Sequence, residues 1–288
     1  MTEGRYLEPA TVDDAVAILA GDQDARCLAG GATLVAMMNA RLVEPGTLVS
    51  LRRIEELKGI AIGADGAARI GSATLHADVA SDDRLSGGHA VVRLAAGRIA
   101  SPPVRNMGTI GGSVSHSDPA ADYPAALVAV NAAIEVAATG GRRSVAADDF
   151  FTDWYTTALN EGEMVTAVTL PAALAGAVGH YDKLVKVEGD MCIASVALVL
   201  AIEGGACSYL RLAVGGCGPG PVRSPEAEAR LIGTALDDAA LGEAGAMLAD
   251  GLDPPDDVRA SAEYRRLVVP RMVARALSAA KSQLENGE

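Results

Sequence analysis

The chain has 288 residues, enough for one large domain or two to three smaller ones, and half of them are hydrophobic, mostly small aliphatics with one Trp and two Phe. A formal net charge of −13, with no Lys/Arg run, excludes a protein that grips a nucleic-acid backbone, but leaves room for a nucleotide cofactor, because main-chain N–H groups can hold phosphate without net positive charge. No stretch approaches the roughly 20 apolar residues of a membrane span and Met1–Glu8 has no basic or apolar leader pattern, so a soluble, cytoplasmic protein is expected.

Thr11–Ala20 reads as a short helix. Thr11 and Asp14 resemble a capping box with Asp in the place of Glu or Gln. Val12, Ala15, Ile18 and Leu19 make its apolar stripe, and Gly21 stops it. Arg26–Leu28 is a brief strand that runs into Ala29-Gly30-Gly31-Ala32-Thr33, and Leu34–Leu42 then reads as helix. Strand, glycine turn and helix in that order offer free N–H groups to an anion. The turn is neither Gly-x-Gly-x-x-Gly nor a phosphate loop with Gly-Lys-Ser/Thr. Taken alone, it is better explained as a plain tight connection with glycine needed for positive φ; a second glycine turn with a similar Ser/Thr after it shifts the reading toward a paired site.

Leu48–Leu51, Ile60–Ile62 and Ala68–Ser72 are strands, the last two joined by the Ala64-Asp65-Gly66 turn. Leu75–Val79 and Val91–Ile99 are helices. Pro102-Pro103 predicts extended chain before Arg105. The stretch Arg105–Leu127 carries the strongest local signal. Gly108, Gly111 and Gly112 fall within five positions, Ser113 follows, and Asp118 and Asp122 come where a helix begins. Successive N–H groups in such a turn converge into an anion site. Asp118-Pro119 fits an N-cap and first helical position, with Pro124 complicating the helix. Asp122 serves equally as a first-turn acid or as a partner for sugar hydroxyls. His116 is a loop histidine.

Ala133–Val136, Arg143–Val145 after the Gly140-Gly141 turn, and Glu163–Leu170 are strands, and Ala172–Val178 reads as a linker. Tyr181, Lys183, Val185 and Val187 alternate on one strand face. Ile193–Ile202 is almost continuously apolar and fits a buried strand or helix. Leu210, Leu212 and Val214 alternate again, which makes a three-strand meander. Pro225–Ile232, Asp237–Leu248 and Ala260–Gln283 close the chain as helices. Cys27, Cys192, Cys207 and Cys217 are scattered, unlike the clustered thiolates of metal or iron–sulfur sites. The four histidines are equally dispersed, and no acid–base dyad stands out.

These residues resemble one known family over nearly the whole chain. Ala29–Thr33 is similar to its Ala-Gly-Gly-x-Ser/Thr turn. Arg105-Asn106-Met107-Gly108-Thr109-Ile110-Gly111-Gly112-Ser113 is similar to its Arg-Asn-x-Gly-Thr-Ile-Gly-Gly-Asn, and Ser117–Asp122 follows at the family's spacing. Glu163–Pro171, Tyr181-Asp182-Lys183 and Ala262-Glu263-Tyr264-Arg265-Arg266 extend the match. The family is that of the FAD-binding medium subunits of molybdenum hydroxylases, of the carbon monoxide dehydrogenase and xanthine dehydrogenase type.

The resemblance implies an α+β fold. Its FAD-binding domain is of the vanillyl-alcohol oxidase / p-cresol methylhydroxylase type, made of two α+β subdomains at residues 1–60 and 61–175. A C-terminal domain at 176–288 adds a small antiparallel sheet with helices. The resemblance also implies FAD contacts at Ala29, Gly30, Gly31, Ala32 and Thr33 and at Thr109, Ile110, Gly111, Gly112 and Ser113. Asp122 is expected at a flavin-side hydroxyl, with Leu170 and Lys183 near the isoalloxazine. The implied role is electron transfer. A large partner holds a molybdopterin-type Mo cofactor, a small one holds two [2Fe-2S] clusters, and the assembly is a dimer of heterotrimers. The pattern departs at Ser113, where the family has Asn, at Ala32, where His or Gln is common, and at Ser50-Leu51-Arg52-Arg53. A stand-alone flavoprotein of the same fold and a scaffold without flavin remain the alternatives.

Overall fold

The computed structural model describes residues 4–286. The chain begins with β1 (Arg5–Leu7), α1 (Val12–Gly21), β2 (Ala25–Leu28), α2 (Leu34–Asn39) and β3 (Thr47–Ser50). The strands form a parallel sheet in the order β1-β3-β2. Helix α1 starts where it does because Thr11 is extended and its hydroxyl accepts the Asp14 amide at 3.1 Å, satisfying an orphan donor of the first turn. Its buried residues Val12, Ala15, Val16 and Leu19 join Val49, Leu51, Ile54 and Leu57 in a core of their own.

The second layer starts with β4 (Ile60–Ile62) and β5 (Ala68–Gly71). Five helices follow: α3 (His76–Ser81), α4 (Ala90–Gly97), α5 (Pro102–Arg105), α6 (Ile110–His116) and α7 (Asp122–Ala129). Then come β6 (Ala133–Ala138), β7 (Gly141–Ala146), α8 (Ala147–Phe150), the hairpin β8 (Phe151–Asp153) and β9 (Thr156–Thr157), and β10 (Met164–Leu170). The antiparallel sheet runs β4-β5-β10-β6-β7, so the last strand is inserted at its centre. Val79, Val92, Ile110, Val114 and Leu127 from the helices share one core with Ile70, Ile134, Val136 and Val168 of this sheet.

The third part is an antiparallel sheet of β11 (Val178–Leu184), β12 (Ala194–Glu203), β13 (Ala206–Gly215) and β14 (Val222–Arg223), in that order. Helices α9 (Pro225–Leu231), α10 (Asp238–Asp250) and α11 (Ala262–Asn286) cover one face. The apolar run at 193–202 is a strand sandwiched on both sides. Ala197, Val199 and Ala201 point into the core with α4 and α7, whereas Ala194, Val196, Leu198 and Leu200 point at the closing helices. A strand buried on both faces loses the alternation that marks a half-buried one, so periodicity alone did not separate strand from helix there.

The fold is α+β as expected, with local differences. Pro102-Pro103 opens the short helix α5 instead of an extended segment, because both prolines occupy its first turn, where no N–H is needed. Asp118 does not cap a helix. Helix α7 starts at Asp122 after an extended Ala121, and the Asp118 carboxylate instead accepts the Ala120 amide at 2.9 Å. β11 stops at Leu184, leaving Val187 exposed. The strands β1, β8, β9 and β14 were not foreseen. Among the described residues, no helix is long and apolar enough to cross a membrane.

The C-terminal sheet is seated on the rest by close backbone contact. A Cβ at Gly179 of β11 would lie 2.5 Å from both the Gly88 carbonyl oxygen and the Val91 amide nitrogen. Gly179→Ala is therefore expected to destabilise the chain by about 1–3 kcal/mol, read as a lowered urea midpoint; an unchanged midpoint would contradict the packing.

Candidate cofactor site

The two glycine turns meet. A Cβ on Gly30 would fall 1.6 Å from the Met107 carbonyl oxygen and 3.1 Å from the Gly108 Cα, so only glycine permits this approach. Gly31 next to it has φ +79°, a conformation open to glycine at no steric cost. Both turns line one cavity of about 880 Å³, along with Asn160–Val165. That volume is in the range of small-molecule and cofactor sites.

The donors are unevenly shared between the turns. Among the described residues, the N–H groups of Gly30, Gly31, Ala32 and Thr33 find no protein acceptor. They stand free at the start of α2, as an anion cradle requires. The second turn differs from the expectation except at Thr109, whose N–H finds no protein acceptor among the described residues. Ile110 donates to the Thr74 carbonyl at 3.1 Å, Gly111 to Ser72 at 2.8 Å, and Ser113 to Thr109 at 3.1 Å. The Gly112 amide goes to the Thr109 hydroxyl at 3.1 Å, which makes Thr109 the N-cap of α6. Gly111 is glycine for internal packing, since a Cβ there would meet the Ser72 backbone at 2.7–2.9 Å. Gly112 is different: its Cβ would meet only the Thr109 hydroxyl, at 3.2 Å, and it borders the cavity.

Asp122 reaches the cavity wall but both of its oxygens are engaged. Tyr181 donates to one at 2.7 Å and Lys183 to the other at 3.0 Å. Lys183 also donates to the Arg98 carbonyl at 3.1 Å. Burial pushes the Asp122 carboxyl upward, and the Lys183 ammonium and the two hydrogen bonds pull against it. Because Lys183 and Tyr181 sit on β11 and Asp122 on α7, this buried pair joins the C-terminal sheet to the cavity wall.

Of the residues singled out from sequence, Ala29–Thr33, Thr109, Gly111, Gly112, Ser113 and Asp122 line the cavity. Ile110, Leu170 and Lys183 do not. Ile110 and Leu170 are core residues at 0% and 1% exposure, and Lys183 stands behind Asp122. His116 and Asp118 do reach the wall, and the His116 ring lies tilted against that of Tyr155 of the β8–β9 hairpin, centroids 5.4 Å apart. Sequence reasoning missed Ser72, His76 and Met191. No local motif marks them, because each arrives from a distant element. Among the described residues beyond β10, Met191, just before β12, alone reaches the cavity. Cys27 also borders it, with a thiol pushed up to about 12 by burial.

Comparison with known proteins agrees with this geometry. Residues 2–173 match the family described as the FAD binding domain in molybdopterin dehydrogenase, and residues 179–280 match the CO dehydrogenase flavoprotein C-terminal domain. The chain is 38% identical to the carbon monoxide dehydrogenase medium chain of Afipia carboxidovorans, covering 98% of each chain. It is 36% identical to the glyceraldehyde dehydrogenase medium chain of Sulfolobus acidocaldarius, over 95% of this chain and 97% of that one. The fold superimposes on a chain of the Cu,Mo-CO dehydrogenase crystal structure with a TM-score of 0.94 at 37% identity, covering 97% of this chain and 98% of that one. It matches quinoline 2-oxidoreductase from Pseudomonas putida 86 with a TM-score of 0.92 at 29% identity, over 98% of both chains. The chain thus belongs to the FAD-binding medium subunits of the molybdenum hydroxylases, and is an FAD-dependent oxidoreductase subunit of the dehydrogenase type.

Proposed function

We propose that this chain holds FAD in the cavity between the two glycine turns. It takes electrons from [2Fe-2S] clusters on a small partner and passes them to an external acceptor. A large molybdopterin-binding partner oxidises the substrate, and the three chains assemble as a dimer of heterotrimers in the cytoplasm. The division at 1–60, 61–175 and 176–288 belongs to the same reading. The observation that carries it is the cluster of unpartnered amides at Gly30–Thr33, opening onto a cavity of about 880 Å³. Such a cradle suits a diphosphate.

When bound, FAD supplies the redox chemistry; the chain supplies position and electrostatics. The amides of Gly30–Thr33 would hold the diphosphate. Gly112 leaves the cavity wall bare of side chain at α6. The Asp122–Lys183–Tyr181 group closes the wall with a compensated charge, so it is no general base. Ile110, Leu170 and Lys183 act at one remove, as packing and support behind the residues that line the cavity.

The glycines separate folding from binding. A Cβ at Gly112 meets only the Thr109 hydroxyl, so Gly112→Val is expected to fold and to lose most of its FAD; flavin absorbance per folded chain checks this, and full FAD content would mean the cradle lies elsewhere. Gly30→Ala, whose Cβ would collide with the Met107 carbonyl, is expected to lower the melting temperature even without cofactor. The wild-type chain alone should bind FAD but oxidise no substrate until both partners are added. Turnover of substrate by the lone chain would refute the assignment.

A further inference from the structure

The second turn shapes the cavity but spends the amides of Ile110, Gly111, Gly112 and Ser113 on the protein, so on that wall the Thr109 N–H and side chains are left to donate. His76, the first residue of α3, lines the cavity and is 5% exposed. Its main-chain N–H donates to the Gly108 carbonyl at 3.0 Å. The imidazole edge lies against the Gly108 Cα, where a built Cβ would fall 2.6 Å from Nε2. The ring is therefore fixed at the point where Gly108 meets Gly30.

The tautomer follows from its one side-chain partner. Nδ1 lies 3.3 Å from the Tyr123 hydroxyl, with the rings 5.4 Å apart. Tyr123 is fully buried, and burial first, then Asp122, hold its phenol protonated well above the ordinary value. Its hydroxyl has no other partner among the described residues, and a buried O–H must be given to an acceptor. Tyr123 therefore donates to Nδ1, and the ring proton sits on Nε2. Burial first and the Arg105 guanidinium second hold the imidazole down at about 4, so it is neutral at pH 7. Among the described residues Nε2 has no protein acceptor.

We propose that His76 is a cofactor-binding residue, donating its Nε2–H to a diphosphate oxygen of FAD where the two glycine turns meet. This rests on the cofactor reading above. It supplies the second wall with the donor that the Ile110–Ser113 amides cannot provide. Tyr123 is a positioning residue that selects the tautomer. A neutral donor makes this contact insensitive to pH in the range where free histidine titrates.

The test uses the full chain. FAD dissociation constants are measured by flavin fluorescence from about pH 5.5 to 8.5 for the wild type, His76→Phe, His76→Gln and Tyr123→Phe, together with phosphorus NMR of bound FAD. His76→Phe is expected to weaken binding about tenfold, as for one lost hydrogen bond to an anion, and to shift a diphosphate resonance. His76→Gln keeps an N–H and is expected to recover most of the loss. Tyr123→Phe should weaken binding by a smaller factor, and wild-type affinity should stay flat with pH. Equal affinity and an unmoved phosphorus spectrum in His76→Phe would overturn the proposal, as would wild-type affinity that falls as the pH rises through about 6.5. If His76→Phe does not fold, Tyr123→Phe decides: wild-type affinity and an unmoved phosphorus spectrum in that variant overturn it. A wild type that binds no FAD overturns the cofactor reading with it, whereas a loaded wild type matched by an equally loaded His76→Phe overturns the His76 role alone.

Discussion

Between Gly30 and the Met107 carbonyl oxygen there is room for a hydrogen atom and nothing larger. That contact draws the turn after β2 onto the turn before α6, and so sets the small parallel sheet against the five-stranded one. Two more bare contacts of the same kind support it. A Cβ at Gly71 would lie 2.3 Å from the Leu57 carbonyl oxygen, and one at Gly111 would lie 2.4 Å from the Ser72 Cβ. The cavity is the space left beside this seam. Its glycines have two separate tasks. Gly30, Gly71 and Gly111 let backbones touch, while Gly31 supplies a positive φ and Gly112 keeps the wall low.

An acidic chain can host an anionic cofactor because its buried wall carboxylates are matched and its anion cradle is built of neutral donors. Two carboxylates that reach the wall are each paired with a cation. Asp122 meets Lys183 at 3.0 Å, and Glu163 meets Arg143 at 2.6 Å, which with hydrogen bonding holds the Glu163 carboxyl down at about 2. Free donors on the wall include main-chain amides, the Ser72 hydroxyl and the His76 imidazole. Amides are fixed dipoles that need no counter-charge when the site is empty and lose no solvated ion when it fills.

The C-terminal part serves the site from behind. Arg265 on α11, 1% exposed, donates to the Ile193 and Gly216 carbonyls and to Asp257 at 2.7 Å. Those two strand ends hold the turn before α7, through Gly216 N–H to the Pro119 carbonyl at 2.9 Å and Cys192 N–H to that of Ala120 at 3.4 Å. Met191 is carried to the cavity by the same joint. Burial pushes the thiols of Cys192, Cys207 and Cys217 up to about 12, 11 and 12, so they pack as small apolar groups without reactivity at neutral pH.

Much of this was legible along the chain because it is local. The Thr11 cap, the Ala64–Gly66 hairpin turn, the alternation of β11 and β13, and the two glycine turns each depend on neighbours a few residues away, and their residue types state the geometry. The pairing of the turns into one site could be inferred only from the resemblance of the motifs. What each glycine faces was decided by tertiary structure. Gly111 and Gly112 are adjacent and alike in sequence, yet one abuts the Ser72 backbone and the other opens on the cavity. The same holds for Lys183, whose charge is spent on Asp122 behind the wall, and for His76, whose tautomer depends on Tyr123 across the core. A linear chain carries no sign of such partners, because burial and hydrogen-bond direction arise only when strands and helices far apart in sequence pack against one another.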